Sequence, residues 1–139
     1  MTVAKDVAFR SAFHESLRLS TTGDPADEWM EGRVTLRTAD LIAVARVSLR
    51  VADWASFVSE LSAFVKGSEE TAVSHFLEPS LELTIAHGRS AVELRGVLSP
   101  SFLARISFTL ELSGESLASA AAQANALAEA YQDAGSPWV

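Results

Sequence analysis

Apolar and polar residues alternate along much of the chain with a period of two. The longest example is the segment 41–51, in which every second residue is apolar while Arg46, Ser48 and Arg50 occupy the other face. This period is typical of a strand with one buried face. Similar alternation predicts further strands in the segments 34–38, 81–85, 91–98 and 105–112, and a bent strand or short hairpin in 8–19. The segment 71–77 is interpreted as a short strand. Because short turns separate these segments, we expect a mainly antiparallel sheet of about six to seven strands.

Two segments show the helical period instead. In the segment 53–66, large apolar residues recur at helical spacing, Asp53 is suited to cap the first turn, and Gly67 supplies a left-handed stop. The C-terminal segment, about 115–134, carries a stripe of mostly small apolar residues and ends near Gly135. The pattern therefore predicts a two-layer α+β fold in which two amphipathic helices pack on one face of the sheet.

Length and composition indicate one domain spanning residues 1–139. The chain is 48% hydrophobic and contains no cysteine, and it shows no internal sequence repeat or linker. The first ten residues do not resemble a secretory signal peptide, and no apolar run is long enough to span a membrane. Nine arginines against two lysines, with many alanines, indicate a GC-rich bacterial genome. We expect a cytoplasmic bacterial protein that does not associate with membranes.

The sequence contains no recognisable catalytic motif. His14, His75 and His87 are isolated, without a partner at metal-ligand spacing. No serine lies in a nucleophile elbow, and the seven glycines never cluster into a phosphate-binding loop. The sequence therefore predicts no enzyme, no metal site and no cofactor.

The net charge of −7 is concentrated in two regions of the sequence. One is a turn-rich acidic loop, predicted over residues 20–33, and the other follows Arg105. Such a surface repels nucleic-acid phosphates and attracts basic partners. We therefore predict no nucleic-acid binding. The outward sheet face alternates both signs of charge, and we interpret it as a solvated scaffold. The alternative is a flat polar docking surface.

The acidic loop contains an aromatic residue within a ring of carboxylates. An exposed aromatic side chain among carboxylates is what an interface to a basic protein would need. The alternative is that the aromatic side chain tucks back onto the edge of the core. The predicted partner-binding residues are Asp24, Asp27, Glu28, Trp29 and Glu31.

The order of segments from about Trp29 to Tyr131 resembles the immunity proteins of wall-associated contact-dependent toxins, the WapI-like group, which merges into uncharacterised actinobacterial domains. The features that carry the resemblance are Gly32-Arg33-Val34 entering a strand, Asp53-Trp54-x-x-Phe57-x-x-x-Leu61 on the first helix, Gly67 with Ala72, the Leu81-x-Leu83 strand, Gly88 in a turn, and Phe108 before a helix opening near Leu117. These positions have structural roles, so they indicate a shared fold rather than a shared activity. The resemblance implies a non-catalytic protein that binds and neutralises a cognate toxin. Many toxins of such systems are basic nucleases, which an acidic inhibitor would attract.

Two other functions remain open from the sequence. One is an acidic chaperone-like homodimer, in which an exposed sheet face or edge strand receives a client segment. The other is a domain that binds a small ligand between a helix and the sheet.

Overall fold

A computed structural model describes residues 3–24, 27–78, 80–101 and 103–135. In these residues the chain forms eight strands and two helices. In chain order they are β1 (Val3–Arg10), β2 (Ser16–Gly23), β3 (Trp29–Arg37), β4 (Ile42–Arg50), α1 (Val51–Val65), β5 (Thr71–Val73), β6 (Leu81–His87), β7 (Val92–Ser101), β8 (Ala104–Leu112) and α2 (Gly114–Gly135).

The strands form two separate sheets of four. The first sheet has the order β1-β2-β3-β4 and the second has the order β5-β6-β7-β8, and every pairing is antiparallel. Each sheet is followed in the chain by one helix. The fold therefore consists of two halves of the same construction, a four-stranded meander and then a helix, although no repeat is visible in the sequence.

The predicted α+β class, with antiparallel strands and two helices, is confirmed. The strands number eight and are divided between two sheets, where six to seven strands in one sheet were expected. Residues 8–19 form the β1–β2 hairpin, and only three residues of 71–77 are a strand. Strand β7 extends beyond the predicted end at residue 98 to Ser101, with a shift of register between Leu98 and Ser101.

Both sheets and both helices share one hydrophobic core, since their buried side chains form a single contiguous cluster. The helices meet inside it, where the indole Nε1–H of Trp54 in α1 donates to the carbonyl oxygen of Ala124 in α2 at 3.1 Å. Around Trp54 stand Phe57 and Phe76, with ring centroids 5.7 and 6.2 Å away. This aromatic cluster joins α1 to the segment that follows β5.

The ends of α1 only partly follow the prediction. Gly67, at φ +83°, adopts the left-handed conformation expected of the helix stop. The N-cap position, however, is Arg50 and not Asp53, and no side chain caps it. Asp53 lies in the first turn, where its carboxylate accepts a hydrogen bond from the Leu77 N–H at 3.3 Å and faces the Arg50 guanidinium at 3.7 Å. The Val51 N–H at the start of the helix donates to the carbonyl oxygen of Glu28 at 2.8 Å, next to the last pair of β3 and β4.

Each sheet has a first strand at its edge, and a helix side chain bonds to each of these edges. The Ala8 N–H in β1 donates to Oε1 of Gln123 in α2 at 2.8 Å. The Val73 N–H in β5 donates to Oε1 of Glu60 in α1 at 3.4 Å. Unpaired edge N–H groups invite pairing with foreign strands, so these contacts protect the fold. Neither helix in the described ranges is long and apolar enough to cross a membrane.

Candidate partner-binding surface

The predicted acidic loop is shorter than expected. Residues 20–23 belong to β2 and residues 29–33 belong to β3, so the connection comprises residues 24–28 only. Thr21 is buried, and its hydroxyl donates a hydrogen bond to the Lys5 carbonyl oxygen of β1 at 3.3 Å. Gly32, expected near the end of the loop, faces the core, where a Cβ would come within 3.1 Å of Leu19. Glycine is favoured at this position because β2 packs closely against it, and not because the chain turns there.

Three of the predicted site residues, Asp24, Asp27 and Glu28, lie on this connection and are exposed. The Asp27 N–H donates to the Asp24 carbonyl oxygen at 3.0 Å. The Glu28 carbonyl oxygen in turn accepts the Val51 N–H at 2.8 Å. We call these three residues the acidic connection. Its backbone is fixed to the start of α1 while its carboxylates remain in solvent.

The other two predicted site residues, Trp29 and Glu31, lie on the outward face of β3. Trp29 stands directly after the acidic connection and opposite Arg50 of β4, and it is 36% exposed. Glu31 accepts a hydrogen bond from the hydroxyl of Ser48 at 2.7 Å. Met30 between them faces the core and is buried. The five predicted residues therefore lie at the same end of the first sheet.

Tyr131 of α2 lies beneath the acidic connection and was not identified from the sequence. Its hydroxyl comes so close to Gly23 that a Cβ there would meet it at 2.6 Å. The hydroxyl is buried and, among the described residues, has no hydrogen-bond partner. Burial raises the pKa of Tyr131, and the carboxylates of Asp27 and Asp24 raise it further. The signal that could have found it is a single tyrosine on the apolar stripe of the helix.

The position of Tyr131 places the C-terminal part of α2 next to the acidic connection. The last turns of α2, which include the exposed Glu129, approach the acidic connection through that side chain. Glu111 lies on the outward face of the second sheet and Glu115 in the first turn of α2, so only part of the negative charge lies at this end of the molecule.

The outward face of the first sheet is strongly basic, which differs from the mixed face expected. We call this face the arginine face. Its two acids are Asp6 and Glu31, and the strand alternation places six of the nine arginines on it: Arg10, Arg18, Arg33, Arg37, Arg46 and Arg50. The second sheet instead presents Arg95 and Arg105 outward with Glu82, Glu93 and Glu111. The charge appeared balanced in the sequence because the two faces were counted together.

In the portions of the chain that the structure describes, no group of three or more histidine, aspartate or glutamate side chains is placed to hold a metal ion. The acidic connection and most residues of the arginine face are exposed at the surface. The arrangement is therefore suited to contact with another macromolecule.

The sequence model of the family described as "Immunity protein WapI-like family" matches residues 11–132. Among solved structures, one described as "Crystal structures of trypanosoma bruciei MRP1/MRP2" is similar, with 14% sequence identity and a TM-score of 0.49, and covers 96% of this chain and 84% of that chain. A likeness this distant carries no argument about function. The comparison with curated proteins gives no match.

Proposed function

The chain belongs to the WapI-like immunity protein family, and from this premise we propose that it binds and neutralises a cognate toxin without catalysing a reaction itself. Membership implies a protein partner, and it confirms the resemblance found in the sequence. We further propose that the toxin is basic, that it docks on the acidic connection and Trp29, and that the complex forms in the bacterial cytoplasm.

The observation that carries the proposal is the exposed acidic connection beside a partly exposed tryptophan. Asp24, Asp27 and Glu28 place their carboxylates in solvent at one end of the molecule, and Trp29 follows directly. Aromatic anchors among charged groups are typical of residues that dominate binding energy. The carboxylates would accelerate association with a basic protein by long-range attraction.

The backbone around these residues supports a rigid contact. The connection is held by the hydrogen bonds of Glu28 to Val51 and of Asp27 to Asp24, and Tyr131 packs below it. A segment that is already ordered loses less conformational entropy on binding than a free loop does. The carboxylates of Asp27 and Glu28 take no part in these backbone bonds, so they can be changed without removing this support.

The test is association with the toxin encoded beside this gene, measured by surface plasmon resonance with purified proteins. The double variant Asp27→Lys, Glu28→Lys reverses two charges of the acidic connection. We expect its association rate to fall on the order of tenfold or more at low salt, because charge reversal opposes electrostatic steering. The difference should shrink as salt rises.

A matched control is the double variant Glu69→Lys, Glu70→Lys. These two adjacent acids are also exposed and lie after α1, so the net charge of the chain changes equally. We expect this control to bind nearly as the wild type does. Equal weakening by both pairs would exclude the acidic connection as the contact. If the wild-type protein did not associate with this toxin, the proposal that the toxin is its partner would be overturned.

A further inference from the structure

We propose that the arginine face is a second binding surface, and that it receives an acidic protein segment with apolar side chains. This goes beyond the proposed function, because the chemistry recognised is opposite to that of the acidic connection. The proposal rests on the charges, pairing and exposure of the outward residues of β1 to β4.

The first observation is that four of the six arginines lack an acidic partner. Arg18 pairs with Asp6, and Arg50 lies 3.7 Å from Asp53. In the described part of the chain, no ion pair or side-chain hydrogen bond is formed by Arg10, Arg33, Arg37 or Arg46. On the second sheet both outward arginines are paired, Arg95 with Glu93 at 2.6 Å and Arg105 with Glu82 at 3.4 Å.

The second observation is that two of these arginines stand directly opposite each other. Arg33 of β3 and Arg46 of β4 are register partners in the antiparallel pair. Like charges directly opposite on neighbouring strands destabilise a sheet. An acidic group placed between these two guanidinium groups would remove that repulsion and gain charge-assisted hydrogen bonds.

The third observation is apolar exposure on the same face. Ile42 and Val44 of β4 are 59% and 48% exposed, and their register partners are Arg37 and Thr35. Arginine together with exposed apolar side chains is typical of protein interfaces, whereas lysine and glutamate are depleted there. The helices contribute to the core on the opposite side of this sheet, so the described parts of the chain leave the face uncovered.

These observations favour a protein over a nucleic acid. Single-stranded nucleic acids stack on aromatic platforms, and the aromatic residue of this face, Trp29, lies at its acidic end beside Asp27 and Glu28. The chain carries a net charge of −7, which repels a long polyanion but acts only weakly on a short acidic segment beyond about 10 Å. Ile42 and Val44 require apolar partners, which a protein segment supplies.

They also argue against a two-fold dimer through this face. A two-fold contact uses the same patch on both copies. It would bring Arg33 and Arg46 of one copy against the arginines of the other, with Asp6 and Glu31 as the acids available to offset them.

The test uses a fluorescent dodecapeptide rich in glutamate with interspersed leucines, measured by fluorescence anisotropy. The variant Arg33→Ser, Arg46→Ser removes the opposed pair. The control with the same change of charge is Arg89→Ser, Arg95→Ser, two exposed arginines in β7 and the turn before it. Arg105 is left unchanged because it lines a cleft together with Arg46. We expect the first pair to weaken binding on the order of tenfold or more and the control to weaken it less than about twofold. Ile42→Thr with Val44→Thr should weaken binding several-fold at unchanged charge.

Circular dichroism and thermal melting establish that each variant is folded; if the double variant unfolds, the single variants Arg33→Ser and Arg46→Ser are compared with the control instead. Equal weakening by both arginine pairs would overturn the proposal, because binding would then depend on total charge. Equal binding of the same peptide with lysine for glutamate would also overturn it. Tighter binding of an oligothymidylate that depends on Arg33 and Arg46 would reassign the face to nucleic acid. Self-association lost in that variant, measured by sedimentation, would reassign it to a second copy.

Discussion

Glu60 and Gln123 hold the same position in the two halves of the molecule. Each is the tenth residue of its helix, counted from Val51 in α1 and from Gly114 in α2. Each accepts a backbone N–H from the first strand of the other half, Glu60 from Val73 and Gln123 from Ala8. Each half therefore supplies a side chain that protects the edge strand of the other half. The two halves are related by this arrangement, although their sequences show no repeat.

Replacing Gln123 by alanine should destabilise the fold by about 1 kcal/mol, because the Ala8 N–H loses its acceptor. The Glu60→Ala change should cost less, since its bond to Val73 is 3.4 Å long against 2.8 Å for Gln123. Urea denaturation followed by circular dichroism measures both values. Hydrogen exchange gives a local readout. The exchange rate of the Ala8 amide should rise in Gln123→Ala and should stay the same in Glu60→Ala.

Gly96 on β7 should not tolerate a side chain. A Cβ there would lie 2.4 Å from the ring of Phe108 and 2.8 Å from the backbone oxygen of Glu82. Overpacking of this kind costs about 1–3 kcal/mol. The comparison is Gly67→Ala, where a Cβ meets open space and only the left-handed backbone at φ +83° opposes it, at about 1–2 kcal/mol. If Gly96→Ala melted at or above the melting temperature of the wild type, the close approach of Phe108 and Glu82 to Gly96 would be contradicted.

Removing the Tyr131 hydroxyl should leave the protein as stable or make it more stable at pH 7. The hydroxyl is buried without a hydrogen-bond partner among the described residues, and such a group carries a desolvation penalty of about 1–3 kcal/mol. Tyr131→Phe keeps the ring in place, whereas Tyr131→Ala should cost about 3–5 kcal/mol through the cavity. Chemical denaturation of both variants distinguishes the hydroxyl from the ring.

The same residue predicts a loss of stability at alkaline pH. The pKa of Tyr131 is raised in the folded protein, chiefly by burial, so the unfolded chain loses the phenol proton first. Stability is therefore fully present below the ordinary tyrosine pKa of about 10 and falls as pH rises above it. Tyr131→Phe should lose less stability than the wild type in that range, measured by denaturation at successive pH values. Identical alkaline profiles would contradict the assignment.

Asp6 and Arg18 predict a small effect at acidic pH. The hydrogen bond from the Arg18 guanidinium, with a further one from Ser20, lowers the pKa of the Asp6 carboxyl. The stabilisation is thus present above the ordinary aspartate pKa and is lost as pH falls through the lowered one. Both side chains are about half exposed, so Arg18→Ala should cost less than about 1 kcal/mol at pH 7. An NMR titration of Asp6 should show its pKa rising towards the ordinary value in that variant.

Local periodicity in the sequence identified most elements because burial on one side imposes it. The alternation in β4 and β8 and the helical stripe of α1 are direct consequences of a single buried face. The division into two sheets was not visible, because alternation shows which way a residue faces but not which strands pair. For the same reason Arg46 and Arg95, on different sheets, were counted on one outward face. Tyr131 was missed because its closeness to Gly23 is a long-range contact.

The reciprocal edge contacts also set an order of events on the ribosome. Strand β5 emerges after α1, so Glu60 is already present when the Val73 N–H appears. Strand β1 emerges early, but Gln123 is synthesised more than a hundred residues later. During that interval the outer edge of the first sheet lacks its acceptor and is open to association with other nascent chains. The period of greatest exposure to aggregation therefore falls in translation, before α2 leaves the exit tunnel.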